Sequence, residues 1–133
     1  MKIMIDTNIF ISTILFPNGV VARSFQKALV LPYEPVVCDY IVDELKRKFN
    51  EKFSDRISSL ENFISIVFPY IKIIPTPMLE IQEEKNIRDI KDRPIIRSAI
   101  NYGIDYLLTG DKDFLEAEIA GLKIISVQEF LAM

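Results

Sequence analysis

Short apolar runs alternate along this chain with longer stretches whose apolar residues recur every third or fourth position. Lys2 to Ile5 reads as a buried strand, ended by the polar residues Asp6-Thr7-Asn8. Ile9 to Phe16 is predicted helical, up to the breaker Pro17-Asn18-Gly19. Val20, Val21, Phe25, Ala28 and Leu29 fall at helical spacing and predict a second helix over 20–30. Pro35 to Cys38 is a second strand. Asp39 is placed to cap a helix running to about residue 52, with Ile41, Val42, Leu45 and Phe49 on its buried face. Ile57, Leu60, Ile64, Val67 and Phe68 mark another helix, and Ile71 to Ile74 is a β-branched run closed by Pro75 and Pro77. Residues 78–91 are polar with charges of both signs, which predicts a surface loop or loose helix. Asp92 and Pro94 open a helix bearing Ile95, Ile96, Ala99 and Ile100, and Gly103 ends it. Tyr106 to Thr109 is a fourth strand halted by Gly110-Asp111. Ile124 to Ser126 is a last strand, and Val127 to Leu131 a last helical turn.

Strands alternating with helices predict an α/β fold, a parallel sheet with helices on both faces. No internal repeat, low-complexity tract or linker interrupts it, and 133 residues suit one domain, 1–133. In an open parallel sheet, ligands bind outside the carboxyl ends of the strands where strand order reverses. Asp6 follows the first strand directly, and Asp111 and Asp113 follow the fourth. If those strands are neighbours at the reversal, the three acids share a crevice. Glu44, at the edge of its helix's buried face, could lean over it, and Asp92 begins the helix leading into the fourth strand.

Each acid has a plainer reading. Asp6 and Asp92 could be helix caps. Glu44 could pair with Lys48 on the helix surface, and Asp111 and Asp113 could be turn residues. Joint placement favours a site, because clustered acids repel unless cations sit between them. Thr7, Asn8 and Thr109 could hydrogen-bond such carboxylates, or cap helices.

Composition narrows the chemistry. The chain has no histidine and one cysteine. This excludes Ser-His-Asp triads, histidine-ligated metals, cysteine-based zinc sites and an intrachain disulfide. Only oxygen ligands remain, which select a hard cation, Mg²⁺ or Mn²⁺. Cys38 reads as an inert core residue, and the phenylalanines, Phe10, Phe16 and Phe25 among them, sit mostly at core spacing. The net charge of −3 argues weakly against nucleic-acid binding, although a bound cation reverses the local charge of an acidic site. Arg88, Lys91, Arg93, Arg97 and Lys112 are near the acids in sequence, as phosphate contacts or as solvated surface charge; Arg93 and Lys112 are the candidates for nucleic-acid contact. No apolar run approaches the roughly 18 residues of a membrane span, and the default expectation is a cytoplasmic protein with no membrane partner.

Together these residues resemble the PIN domain, in particular the VapC-type toxins of bacteria and archaea. Ile3-Met4-Ile5-Asp6-Thr7-Asn8-Ile9-Phe10 is similar to that family's strand followed by Asp-Thr-Asn. Val42-Asp43-Glu44-Leu45 carries its acid on the helix after the second strand. Asp92-Arg93-Pro94-Ile95-Ile96-Arg97-Ser98-Ala99 carries the acid that opens the penultimate segment. Tyr106-Leu107-Leu108-Thr109-Gly110-Asp111-Lys112-Asp113-Phe114-Leu115 is similar to its Leu-Thr-x-Asp-x-Asp-Phe, and Ile124 to Leu131 to its closing strand and helix. The order and spacing of these motifs are more specific than any one of them.

The resemblance implies a PIN-like three-layer fold around a five-stranded parallel sheet, and a Mg²⁺- or Mn²⁺-dependent endoribonuclease. Asp6, Glu44, Asp92 and Asp111 would be catalytic and metal-binding, with Asp113 a further metal ligand. RNA would be the substrate, hydrolysed to a 5′-phosphate and a 3′-hydroxyl. A protein antitoxin would be the partner, and the relatives are often homo-oligomeric dimers. Residues 78–91 are longer and more charged than in the compact toxins, which leaves the partner surface open. A haloacid-dehalogenase-type phosphatase needs an acid where Asn8 stands. A nucleotide-binding module would carry Gly-x-Gly-x-x-Gly, absent from a chain with four glycines. A PIN fold that is catalytically silent and serves as an interaction module is the alternative from another class.

Overall fold

The computed structural model describes residues 1–133. The apolar runs form five strands: β1 (Lys2–Ile5), β2 (Glu34–Cys38), β3 (Lys72–Ile74), β4 (Tyr106–Leu108) and β5 (Lys123–Ile125). Every pairing is parallel, in the order β3-β2-β1-β4-β5. The chain builds outward from β1 through β2 to β3, then returns to the other side of β1 with β4 and β5. Strand order therefore reverses between β1 and β4. Ile3, Met4, Ile5, Leu107 and Leu108 are fully buried at that centre, as continuous apolar strands covered on both faces must be.

Seven helices flank the sheet: α1 (Thr7–Leu15), α2 (Val20–Ala28), α3 (Asp39–Lys52), α4 (Ile57–Val67), α5 (Arg93–Tyr102), α6 (Lys112–Leu115) and α7 (Val127–Leu131). One hydrophobic cluster of 30 buried residues joins them to the strands. The five-stranded parallel sheet between helices is the architecture expected from the sequence.

The differences are local and have causes. Helix α1 starts at Thr7 rather than Ile9, because the Asp6 carboxylate accepts from the Thr7 N–H and caps it. Asp39 does not cap α3: Cys38 holds the cap position. Asp39 opens the helix instead, and its Oδ1 accepts from Thr76 N (3.0 Å) and Oγ1 (2.5 Å), tying α3 to the exit of β3. Phe16 is 67 % exposed at the end of α1 and is no core residue, whereas Phe10 and Phe25 are buried and meet edge to face. Gly103 ends α5 at φ 71°, a left-handed conformation that needs no side chain.

Residues 78–91 are not a loose surface segment. They contain a 3₁₀ turn at Glu83–Asn86 and lead into another at Ile90–Asp92, and Glu84 and Ile87 are buried. Glu84 accepts from Arg97 Nε and Nη2, both at 2.8 Å, and from the Ile81 N–H at 2.8 Å. Arg97 Nη1 donates to Pro77 O (3.0 Å) and Arg93 Nε to Ile87 O (2.9 Å). Two arginines one helical turn apart thus staple the segment onto α5. Arg97 is thereby engaged inside the protein and is not a phosphate contact.

Candidate active site

The site starts at the reversal point. Asp6 continues the β1–β4 pairing, its N–H donating to Leu108 O at 3.0 Å. Its side chain is buried. Oδ1 accepts from Thr7 N (2.8 Å) and Oδ2 from Thr109 Oγ1 (2.7 Å). Thr109 leaves β4 fully buried, and its hydroxyl oxygen also accepts from Asp111 N at 3.0 Å. Asp111 caps α6, its Oδ1 accepting from Asp113 N at 2.9 Å. The cap reading thus holds for Asp6 and Asp111, and it is compatible with the site reading, because both caps stand at strand ends.

Glu44 reaches the same place from α3. It is buried, and the Thr7 hydroxyl donates to its Oε1. Its basic neighbour is Arg47, one turn on, with Nη2 3.8 Å from Oε2; the plainer reading, a surface pair with Lys48, does not occur. Asp92 occupies the cap position of α5 but accepts no capping hydrogen bond there.

The charges of Glu44 and Asp111 act on Asp6, and those of Asp111, Asp6 and Glu44 act on Asp92. Burial pushes the Asp6 carboxyl up to about 6; hydrogen bonds from Thr109 and Thr7 oppose the rise, and the charges of Glu44 and Asp111 add to it. Burial also pushes Asp92 up to about 7, helped by the negative charges of Asp89, Asp111, Asp6 and Glu44. A carboxyl protonated near neutrality among other acids lacks a positive partner.

No three acidic side chains converge into a ready-made metal cluster. Mg²⁺ does not require one, since it commonly keeps several waters and takes one or two carboxylates. The donor set is all oxygen. Two residues from Asp6, the buried Oδ1 of Asn8 is an acceptor for which the protein supplies no donor, suited to a water of a hydrated cation. The residues present therefore fit a hard divalent ion.

Other candidates fall outside this group. Asp113 pairs with the exposed Arg88, at 2.9 Å. Arg93 is half-buried and bound to the Ile87 carbonyl, while Lys112 is exposed. The sequence reading missed Asp89, Tyr40 and Arg47. The Tyr40 hydroxyl donates to Lys91 O, and its pKa is raised by burial and by the charges of Glu44 and Asp92. Helical spacing carried the signal: Tyr40 and Arg47 lie one turn either side of Glu44 on the same face.

The family model described as PIN domain matches residues 2–113. No curated protein matches the chain. Among solved structures it is similar to VapBC2 from Rickettsia felis bound to a DNA fragment from their promoter, with TM-score 0.70, 19 % identity, and 95 % of this chain and 98 % of that one covered. DNA-bound VapBC from Salmonella typhimurium gives TM-score 0.68 and 18 % identity over 96 % and 98 %. A toxin-antitoxin complex from Klebsiella pneumoniae gives 0.59 and 17 % over 90 % and 93 %. At such identities the likeness is one of fold.

Proposed function

The chain belongs to the PIN domain family, and from that premise we propose that it is a Mg²⁺- or Mn²⁺-dependent endoribonuclease and the toxin of a toxin–antitoxin pair. One observation carries the catalytic reading. Asp6, Glu44, Asp92 and Asp111 gather where strand order reverses, with Asp6 raised to about 6 and Asp92 to about 7. Acids so placed repel one another until a cation joins them.

Asp6, Asp92 and Asp111 would hold the metal, directly or through its bound waters, and Glu44 or Asp113 would share a second ion. A divalent cation there supplies a water nucleophile near neutral pH and offsets charge on the reacting phosphate. The chain's own part is positional. Thr109 and Thr7 orient Asp6 and Glu44, and the cap at Asp111 fixes its carboxylate. No attack by the RNA 2′-hydroxyl is needed in this reading, which fits a site without histidine. The reading is hydrolysis to a 5′-phosphate and a 3′-hydroxyl.

The toxin role rests on the VapBC structures and the Klebsiella pneumoniae complex, to which the fold is similar. The partner would be a protein antitoxin; dimerisation and action in the cytoplasm belong to the same reading. No helix is long and apolar enough to cross a membrane.

Cleavage of single-stranded RNA by purified protein with Mn²⁺, Mg²⁺ or EDTA, beside Asp6→Asn, tests the catalytic reading. Cleavage needing a divalent ion and falling about a hundredfold or more in Asp6→Asn is expected. A folded parent without cleavage, or an Asp6→Asn protein as active as its parent, overturns it.

A further inference from the structure

Beside the acidic group lies a second, differently charged depression of about 410 Å³, lined by Tyr40, Asp43, Glu44, Arg47 and Lys91. Four of these come from α3, with Tyr40, Glu44 and Arg47 on one face at helical spacing. Lys91 closes the pocket from the 3₁₀ turn Ile90–Asp92, immediately before Asp92. The Tyr40 hydroxyl, donating to the Lys91 carbonyl, joins the two walls. The pocket therefore adjoins the proposed catalytic group at two of its members: Glu44 is in its wall, and Asp92 follows Lys91 in the chain.

Its cations have little internal employment. Arg47 is 52 % exposed and touches only the edge of Glu44, at 3.8 Å, beyond hydrogen-bond distance. The Lys91 side chain is exposed and in no ion pair. Two available cations beside clustered acids, in a chain of net charge −3, suit phosphate. Asp43 is exposed and adds a carboxylate acceptor, which an inorganic anion would avoid and a base amino group would use. Tyr40 adds an aromatic wall, and the volume falls within the range of small-ligand sites. Cationic donors, a carboxylate acceptor and an aromatic ring together match a nucleotide rather than a free anion.

We propose that this pocket seats a nucleotide of the RNA substrate adjacent to the cleaved bond, with Arg47 and Lys91 holding its phosphate and Asp43 accepting from its base. This rests on the ribonuclease reading, and the experiment separates the two. A fluorescent single-stranded RNA oligonucleotide is bound in Ca²⁺ and cleaved in Mn²⁺ by the parent, Arg47→Ala, Lys91→Ala, the double variant and Arg47→Lys. Each cation removed is expected to flatten the log–log salt dependence of binding by about 0.7. In the double variant KM is expected to rise about tenfold with kcat within about twofold, since a phosphate contact made before and during reaction is lost. Arg47→Lys, which keeps the charge, should restore the slope.

Parental KM and salt slope in a folded double variant, with the parent still cleaving RNA, overturn the pocket and leave the ribonuclease reading standing. A fall in kcat without a rise in KM also overturns it, assigning Arg47 to Glu44 alone. Competition by inorganic phosphate as effective as that by RNA overturns the nucleotide class. A parent that neither binds nor cleaves RNA overturns both readings.

Discussion

Thr109 donates its hydroxyl to Asp6 Oδ2 at 2.7 Å, across the junction of β4 and β1. The same oxygen accepts from Asp111 N at 3.0 Å. One buried side chain therefore sets the positions of two acids from different strands. Its hydrogen bond also favours the ionised form of Asp6, holding the Asp6 pKa below where burial alone would put it.

Thr109→Val keeps the side chain's shape and removes the hydroxyl. The carboxylate then loses its donor, the Asp6 pKa rises above about 6, and the Asp111 N–H loses its acceptor. The acid limb of the cleavage profile should move to higher pH, and stability should fall by about 1–3 kcal/mol, the cost of unsatisfied buried polar groups. A pH–rate profile with a thermal melt measures both. An unmoved acid limb would mean that Asp6 does not control the rate.

The positions of Asp6 and Asp111 were legible because two local facts sufficed: an apolar run ends just before each, and the order of elements makes the sheet parallel. Glu44 and Asp92 stand on helices and were placed by helix face and by the family resemblance. What was illegible depended on partners distant in sequence. Glu84 stands in a polar stretch and reads as solvated, and only the fold brings Arg97 onto it. Asp39 looks like a cap until Thr76, beyond β3, claims its carboxylate. Asp113 fits the acid motif, and its surface pairing with Arg88 from the long segment depends on the fold. Tyr40 and Arg47 were within reach of helical spacing from Glu44, but their relation to Lys91 was not.

The Glu84–Arg97 pair should be structural rather than catalytic. Glu84 is 1 % exposed, and Arg97 binds it with two nitrogens. Glu84→Gln leaves Arg97 without its counter-charge and should cost toward the lower end of the roughly 3–5 kcal/mol seen for broken buried pairs. The Glu84 pKa is lowered, first by the hydrogen bond from Arg97. Its contribution is therefore present above the unfolded pKa and is lost as pH falls through the folded one. Denaturant melts of parent and variant should differ at pH 7 and converge in acid; a constant gap would mean that the charge of Glu84 contributes nothing.

If the toxin reading proposed above is right, the acidic crevice is where a partner would silence it, and a cation would suit that crevice. An arginine or lysine of the antitoxin is then expected to enter among Asp6, Glu44, Asp92 and Asp111. The bound complex should then respond weakly to Mn²⁺ in a thermal melt. A structure of the pair with the crevice open to solvent would contradict this.

Metal binding and pH should be linked through the same acids. In the fold Asp6 titrates near about 6 and Asp92 near about 7, both raised from 3.8. Folded-state pKa values above the unfolded ones mean that these groups favour the fold fully below about 3.8. The contribution is lost as pH rises through about 6 to 7. Without a divalent ion the protein should therefore be less stable at pH 8 than at pH 5 as far as these two groups decide. Mn²⁺ binds the ionised carboxylates, so protons compete with it at pH 5 and not at pH 8. At a hundred times Kd the gain is about 2.7 kcal/mol, or about 10 °C in Tm for a domain of this size. Calorimetry with and without Mn²⁺ should show most of that shift at pH 8 and little at pH 5. Asp92→Asn removes the acid with the higher of the two raised pKa values, and should shrink the difference between the two conditions. Equal shifts at both pH values, or none, would mean that these acids serve only as caps and surface charges.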